Sequence, residues 1–352
     1  MAKRGSTDRG FTARLDLRNG AVEMGHGAGG RAMAQLIDEL FQRHLDNPLL
    51  RQHNDQALFT PPPGRLVIST DGHVITPLFF PGGDIGSLAV HGTINDVAMA
   101  GARPLYLAAG FVLEEGFPLA DLDRLVASMA AASRSAGVPI VTGDTKVVER
   151  GKGDGCFITT TGLGVVPDGV AISGDQARPG DAVLVSGSLG DHGVAILSQR
   201  EGLGFATEIR SDSAALHDLV AAMVAAVPGI HCLRDPTRGG LATTLNELAR
   251  QSGVGMRLRE AAIPIQPAVA AACELLGLDP LYVANEGKLV AICAADDADI
   301  LLAAMRAHPL GAQAARIGEV VADPHRFVQM ETRFGGQRIV DWLAGEPLPR
   351  IC

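Results

Sequence analysis

Leu66-Val67-Ile68-Ser69-Thr70-Asp71 is a run of aliphatic and β-branched residues that ends in an acid. Such a run reads as a strand that delivers a carboxylate to its C-terminal end. Working outward, residues 84 to 99 read as a helix, with Asp84 as its N-cap. Residues 105 to 111 read as a second strand. Leu122, Leu125, Val126 and Met129 fall at helical spacing. Val138-Pro139-Ile140-Val141-Thr142 reads as a strand entering a turn, Gly143-Asp144-Thr145-Lys146, and 156 to 166 is another β-rich run. Upstream, Gly25-His26-Gly27-Ala28-Gly29-Gly30 precedes Met33, Leu36, Ile37, Leu40, Phe41 and Leu45, the apolar stripe of an amphipathic helix. Strands and helices therefore interleave, which predicts a mixed α/β (α+β) architecture.

Composition shifts between Pro167 and Asp181, where Asp168-Gly169 and Arg178-Pro179-Gly180-Asp181 are turn signals. The pattern then restarts with a strand at 182–186, helices near 191–200, 213–227 and 241–252, a strand at 289–293 and a helix near 296–307. With 352 residues, the chain has room for about two domains. The expected division is an N-terminal arm, 1–24, a first domain, 25–168, a second α/β domain, 178–330, and a C-terminal segment, 331–352. Pro347 and Pro349 exclude helix from the last stretch, Gly345-Glu346-Pro347-Leu348-Pro349-Arg350-Ile351-Cys352. It is expected to be an extended, mobile tail with an exposed thiol.

The formal charge is −9 and the cations are scattered, which argues against a nucleic-acid partner. Five cysteines, with no C-x-x-C pair among them, argue against a disulfide framework or a cysteine zinc site. They fit a reducing, cytoplasmic compartment. No signal peptide and no membrane-spanning run is present.

Five constellations have chemical potential. Gly25, Gly27 and Gly30 satisfy G-x-G-x-x-G, but Arg31-Ala32 replaces the Lys-Ser/Thr of a P-loop. Backbone amides here either cradle a phosphate or make an ordinary turn. Asp55, Asp71, Asp96, Asp144 and Asp235 each sit among small or polar residues. Several convergent aspartates would hold magnesium against phosphate oxygens, and singly each is a cap or turn residue. Arg234-Asp235-Pro236-Thr237-Arg238-Gly239-Gly240 is either an anion-recognition loop or a charged turn. Glu286, in Asn285-Glu286-Gly287-Lys288, is a general base or a solvated acid. Cys352 is a carrier thiol or an inert terminus. It is not prenylated, because a C-a-a-X box places the cysteine fourth from the end.

Together these segments, with Pro81-Gly82-Gly83-Asp84-Ile85-Gly86, Asn95-Asp96-Val97-Ala98-Met99, Gly143-Asp144-Thr145-Lys146-Val147-Val148 and the terminal Pro349-Arg350-Ile351-Cys352, resemble the HypE family of hydrogenase maturation factors. That family lies within the superfamily of aminoimidazole ribonucleotide synthetase and selenophosphate synthetase. The resemblance runs from about residue 20 to the end. Asn54-Asp55-Gln56-Ala57 is less acidic than its family counterparts.

The resemblance implies a two-domain PurM-like fold with ATP and Mg2+ as cofactors, the first domain binding ATP and pairing in a homodimer. It implies ATP-dependent dehydration of a carbamoyl group on Cys352 to a thiocyanate, which supplies cyanide for hydrogenase iron. Asp55, Asp71, Asp96 and Asp235 would hold magnesium. Gly27, Gly29, Gly30, Asn95, Asp144 and Thr145 would line the nucleotide, with Glu286 as base and Lys146 orienting the carbamoyl group. HypF would load the carbamoyl group, and the HypC–HypD complex would accept the cyanide. The competing readings are another ATP-using superfamily enzyme such as selenophosphate synthetase, a non-catalytic carrier of a modified tail, and a dinucleotide-binding oxidoreductase. The first of these wants a cysteine near the Gly-rich segment, and the first cysteine here is Cys156.

Overall fold

The computed structural model describes residues 14–203, 209–345 and 350–352. Helix α1 (Arg31–Leu36) passes through a π-turn, Ile37–Phe41, into α2 (Gln42–Leu45). Strand β1 (Arg65–His73), the ribbon β2 (Phe79–Phe80) and β3 (Gly83–Asp84), and helix α3 (Ile85–Met99) follow. Strand β4 (Arg103–Glu114), helix α4 (Leu119–Ala136), β5 (Ile140–Val148) and β6 (Cys156–Val166) complete the first half. The second half comprises β7 (Ala182–Val185), α5 (Asp191–Glu201), α6 (His217–Ala226), β8 (Cys232–Arg234), α7 (Gly240–Ser252), β9 (Gly255–Arg259) and α8 (Pro267–Leu276). It continues with β10 (Val290–Cys293), α9 (Ala298–Ala307), β11 (Ala315–Val321), β12 (Val328–Glu331) and β13 (Gln337–Ile339).

The first half forms a four-stranded sheet, β1-β6-β4-β5, antiparallel except for the β4–β5 pair. Alternation along its strands gives it two unlike faces. The inner face packs on α3, whose Ile85, Leu88, Val90, Ile94 and Val97 are all buried. Gly86 lets α3 approach α4, since a Cβ there would fall 2.3 Å from the Leu125 carbonyl oxygen. Asp84 caps α3 as expected, accepting from the Ser87 amide at 2.9 Å. The outer face is open: Ile68 is 70% exposed and Leu66 55% exposed.

The second half is a seven-stranded sheet, β13-β12-β9-β11-β7-β10-β8. Leu241, Leu245 and Leu248 of α7 cover one face, and Leu219, Met223, Leu301 and Met305 of α6 and α9 cover the other. Its central strands β7 and β10 are buried on both faces, which is why they read as continuous apolar runs. Val194, Ile196, Val269 and Ala272 of α5 and α8 join the core of the first half.

Three expectations are corrected. Gly143-Asp144-Thr145-Lys146 is not a turn but the middle of β5, because these residues pair with Ala109 to Val112 of β4. The N-terminal arm is not loose over 14–24: Val22 is buried, its amide donates to the Phe117 carbonyl at 2.8 Å, and Ala21 bridges Pro118. Residues 1–13 of that arm lie outside the described residues. The end of the tail is not exposed. Ile351 is 3% exposed and packs into the core of the first half, with Cys352 half-buried against it. Residues 346–349 of the tail lie outside the described residues.

Candidate active site

The site is built where the inner face of β1 meets two loops of the second half. Strand periodicity puts Ser69, Asp71 and His73 on that face together. Ser69 Oγ donates to Asp96 Oδ2 of α3 at 2.8 Å, and His73 Nε2 lies 3.4 Å from Asp71 Oδ2. Gly92 of α3 leaves the floor clear. A Cβ there would stand 3.1 Å from His73 Nε2, 3.6 Å from Asp71 Oδ2 and 3.9 Å from Glu286 Oε2.

The loop after β8 brings Asp235 and Arg238. It turns into α7 through Gly239 and Gly240, both at positive φ, and a Cβ on Gly240 would lie 2.5 Å from the Leu281 carbonyl oxygen. Asn285 ties this loop to its neighbour: its amide nitrogen donates to the Pro236 and Val283 carbonyls at 2.9 and 3.0 Å, and its oxygen accepts from the Gly190 amide at 2.8 Å. Glu286 follows, with its backbone amide donating to Asp212 Oδ1 at 3.1 Å. Asp212 is buried and ion-paired with Lys288 at 3.1 Å.

Burial and mutual repulsion set the electrostatics. Asp235 is pushed up to about 7, first by burial and then by Asp96. Burial also raises Asp96, with Asp71 adding to it. Glu286 is raised well above the usual carboxylate range, by burial first and then by Asp235, Asp212, Asp71 and Asp96, and its Oε1 is buried without a hydrogen-bond partner. A buried, unpartnered carboxyl oxygen is a costly feature that a bound group would relieve. Cys352 completes the cluster. Burial and Glu286 raise its thiol, and Arg238 is the cation opposing them. Beside Asp96, Asp235 and Arg238 opens a cavity of about 470 Å³, also lined by Arg234, Thr237 and Thr244.

Asp71, Asp96 and Asp235 thus feel one another's charge, although among the described residues no three His, Cys, Asp or Glu groups form a ready metal cage. This donor set fits magnesium, which takes one or two protein carboxylates and completes its shell with phosphate oxygens and water.

Other expected site residues lie elsewhere. Gly27 packs on β5, where a Cβ would fall 2.6 Å from the Val147 amide nitrogen, so the Gly-rich turn and the 144–146 segment are neighbours. Gly29 and Gly30 face open space. Asp144 and Lys146 point to the open face of the sheet and pair with each other at 2.6 Å. The ladders align Asp71 with Thr160, Ala109 and Gly143 in turn. Asp144 and Lys146 therefore sit three strands away from Asp71, about 14 Å, and on the opposite face. Thr145 is buried on the inner face, away from Asp144. Asp55 is exposed on the β5 side, its carbonyl accepting from Thr142 Oγ1 at 3.5 Å.

Asn95 is a correction. It is 1% exposed, its amide nitrogen donates to the Ala214 and Glu286 carbonyls at 3.0 and 3.1 Å, and its oxygen accepts from the Leu216 amide at 2.8 Å. It is a strut between α3 and the second half, buried and with both amide hydrogens and its oxygen engaged there.

The AIR synthase related protein, N-terminal domain, family matches residues 53–166, and the corresponding C-terminal domain family matches 178–331. A carbamoyl dehydratase HypE from Azotobacter vinelandii is 76% identical over 340 residues, covering 97% of this chain and 100% of the relative. The chain belongs to the HypE family. The crystal structure of a HypE in complex with ATP superposes on this family member with a TM-score of 0.91 at 54% identity, covering 94% of this chain and 99% of that one. A HypE–HypF complex matches with a TM-score of 0.78 at 47% identity, covering 88% and 99%. The family confirms a mixed α/β fold of AIR-synthase type, and no helix of the described residues is long and apolar enough to cross a membrane.

The sequence reading missed His73, Gly92, Asp212, His192 and Arg200. His73 had a usable signal, since it lies two residues beyond Asp71 on one strand face. Asp212, His192 and Arg200 stand in no motif and reach the site only through the tertiary fold.

Proposed function

We propose that this protein, a carbamoyl dehydratase of the HypE family in hydrogenase maturation, dehydrates a carbamoyl group carried on Cys352, using ATP, to a thiocyanate. The observation that supports this reading is the seat of Cys352. The terminal sulfur lies in the field of Glu286 and Arg238, and of the Asp71 and Asp235 carboxylates. A carrier tail alone would need no buried acid waiting for it.

The chemistry balances as follows. The thiocarbamate oxygen attacks the γ-phosphorus of ATP while one N–H proton leaves, giving ADP and an S–C(=NH)–O-phosphate. The second N–H proton then leaves, the C–O bond breaks towards phosphate, and S–C≡N remains. Phosphorylation turns a poor leaving group into a good one. Glu286 is the candidate to receive a proton, because it is buried, close to the sulfur and has a free oxygen. Arg238 is the cation that opposes the acids around the same sulfur and suits the developing phosphate charge. Asp71, Asp96 and Asp235 would hold magnesium, with Asp55 as a further candidate on the nucleotide side. Bound there, magnesium would neutralise phosphate charge.

Gly27, Gly29, Gly30 and Asp144 are proposed to line the nucleotide. Lys146 is proposed to act across a homodimer, because its open sheet face, with exposed Leu66, Ile68 and Val112, suits burial against a second copy. The division into 25–168 and 178–330, HypF as carbamoyl donor and the HypC–HypD complex as acceptor complete the reading.

The test is intact mass spectrometry after incubation with HypF, carbamoyl phosphate, ATP and magnesium. A carbamoyl adduct on Cys352 that loses one water only when ATP is present is the expected result. An adduct that forms and keeps its water would refute the assignment.

A further inference from the structure

Residues 350–352 lie antiparallel to residues 74–76, in line with β1. The Val74 amide donates to the Cys352 carbonyl at 3.0 Å, and the Thr76 amide donates to the Arg350 carbonyl at 3.3 Å. Arg350 takes a left-handed turn, φ 55°, ahead of the last two residues. Ile351 enters the core, while Arg350 and Cys352 take other directions, Arg350 to an ion pair with Asp154. Two side chains of α5 then meet the same segment. His192 Nε2 donates to the Ile351 carbonyl at 2.8 Å, and Arg200 donates to the Arg350 carbonyl at 2.8 Å and to the Thr76 carbonyl at 2.8 and 3.0 Å.

His192 is wholly buried, and the surroundings fix its tautomer. A carbonyl oxygen only accepts, so Nε2 carries the hydrogen, and Nδ1 accepts from Ser211 Oγ at 2.7 Å. Ser211 is itself held, its amide donating to the Pro81 carbonyl at 2.8 Å, and the Phe80 ring stands edge-on to the imidazole at 5.6 Å. The contacts described for these groups fall on main chain and on the histidine itself.

We propose that His192 and Arg200 form a backbone clasp that positions the terminal segment for dehydration by gripping the Ile351 and Arg350 carbonyls, whatever group the sulfur carries. This deepens the reading of Cys352 as the carrier and rests on it for the word dehydration. The clasp itself stands on geometry alone. Because it holds main chain, and Ile351 sets the register, the reacting side chain stays free to change chemically without losing its seat. His192 and Arg200 are positioning residues.

The full chain supplies the assay, since Cys156, Cys232, Cys273 and Cys293 are buried and serve as internal controls. The probe is iodoacetamide, and intact mass spectrometry follows alkylation of Cys352. Replacing His192→Leu or Arg200→Met should speed that alkylation by about fivefold to tenfold, the scale of one buried hydrogen bond. His192→Gln keeps an N–H near the Nε2 position and should restore most of the protection. Single-turnover dehydration of the carbamoylated variants should slow by the same factor, with ATP affinity unchanged. Arg200→Met, partly exposed, is the variant to read if His192→Leu misfolds. Equal alkylation rates in the wild type and Arg200→Met overturn the clasp. Faster alkylation with undiminished dehydration overturns its positioning role. A wild type that protects Cys352 yet never dehydrates it supports the clasp and refutes the functional reading instead.

Discussion

The two faces of the four-stranded sheet carry different halves of the chemistry. On the inner face, Asp71 and His73 meet Asp96, Asp235, Glu286 and Cys352 in one packed pocket, all from a single chain. On the outer face, Asp144 and Lys146 lie in the open and pair with each other, on the side of the sheet that also exposes Leu66, Ile68 and Val112. The inner site is complete enough to perturb its own acids, and the outer one is the surface proposed for the nucleotide and a second copy. A single fold thus separates the sulfur chemistry from the groups expected to greet ATP.

The sharpest way to break this contrast is at Glu286. Glu286→Gln preserves shape but removes the base. Dehydration should fall about 10²- to 10⁴-fold, the usual worth of a positioned general base, with nucleotide affinity retained in a binding titration. Full activity in that variant would empty the inner face of its assigned role. A second test asks whether the outer face serves the same chain or its neighbour. Lys146→Met and Glu286→Gln chains should each be inactive alone. Mixed, a symmetric dimer with shared sites should recover about a quarter of wild-type dehydration. No recovery would mean that each chain uses its own Lys146.

A smaller effect lies at the seam between α3 and α6. His91, in a cavity of about 260 Å³ with His217 and His308, is held down to about 4 by burial first and by His217 second, while Ser213 Oγ bonds its Nδ1 at 3.0 Å. The folded form therefore takes a proton less readily than the unfolded chain. Stability is present above the ordinary histidine range and is lost as pH falls from about 6.5 towards 4, by about 3 kcal/mol at most. His91→Gln should flatten that part of a pH–denaturation profile. The inner and outer faces of the sheet should keep their respective behaviours.

The sequence showed the alternation of elements well, because α3, α4, β1 and β6 follow simple periodicities. It misread Gly143-Asp144-Thr145-Lys146 because two small polar residues mimic a turn, and only the ladder with β4 reveals a strand. It grouped Asp71, Asp96 and Asp235 as one acidic set with Asp55 and Asp144, but did not show that Glu286 joins them while Asp144 faces the other side of the sheet. Asn95 was expected at the nucleotide from the family resemblance alone, yet a one-residue step from Asp96 on a helix turns the side chain by about 100° to a different neighbour. The tail misled most. Two prolines and a terminal thiol say extended and loose, and nothing local announces that His192 and Arg200, 159 and 150 residues away, receive its carbonyls.

The Asn95 strut has a further consequence. Its three hydrogen bonds join α3 to both the 214–216 segment and the Glu286 loop, and the core around Ile351 is shared by elements from both halves of the chain. Swinging the two sheets apart would break those buried bonds and expose apolar surface at once. Releasing residues 350–352 leaves the Asn95 strut intact, so the pocket can open at its rim while the two halves of the chain stay joined.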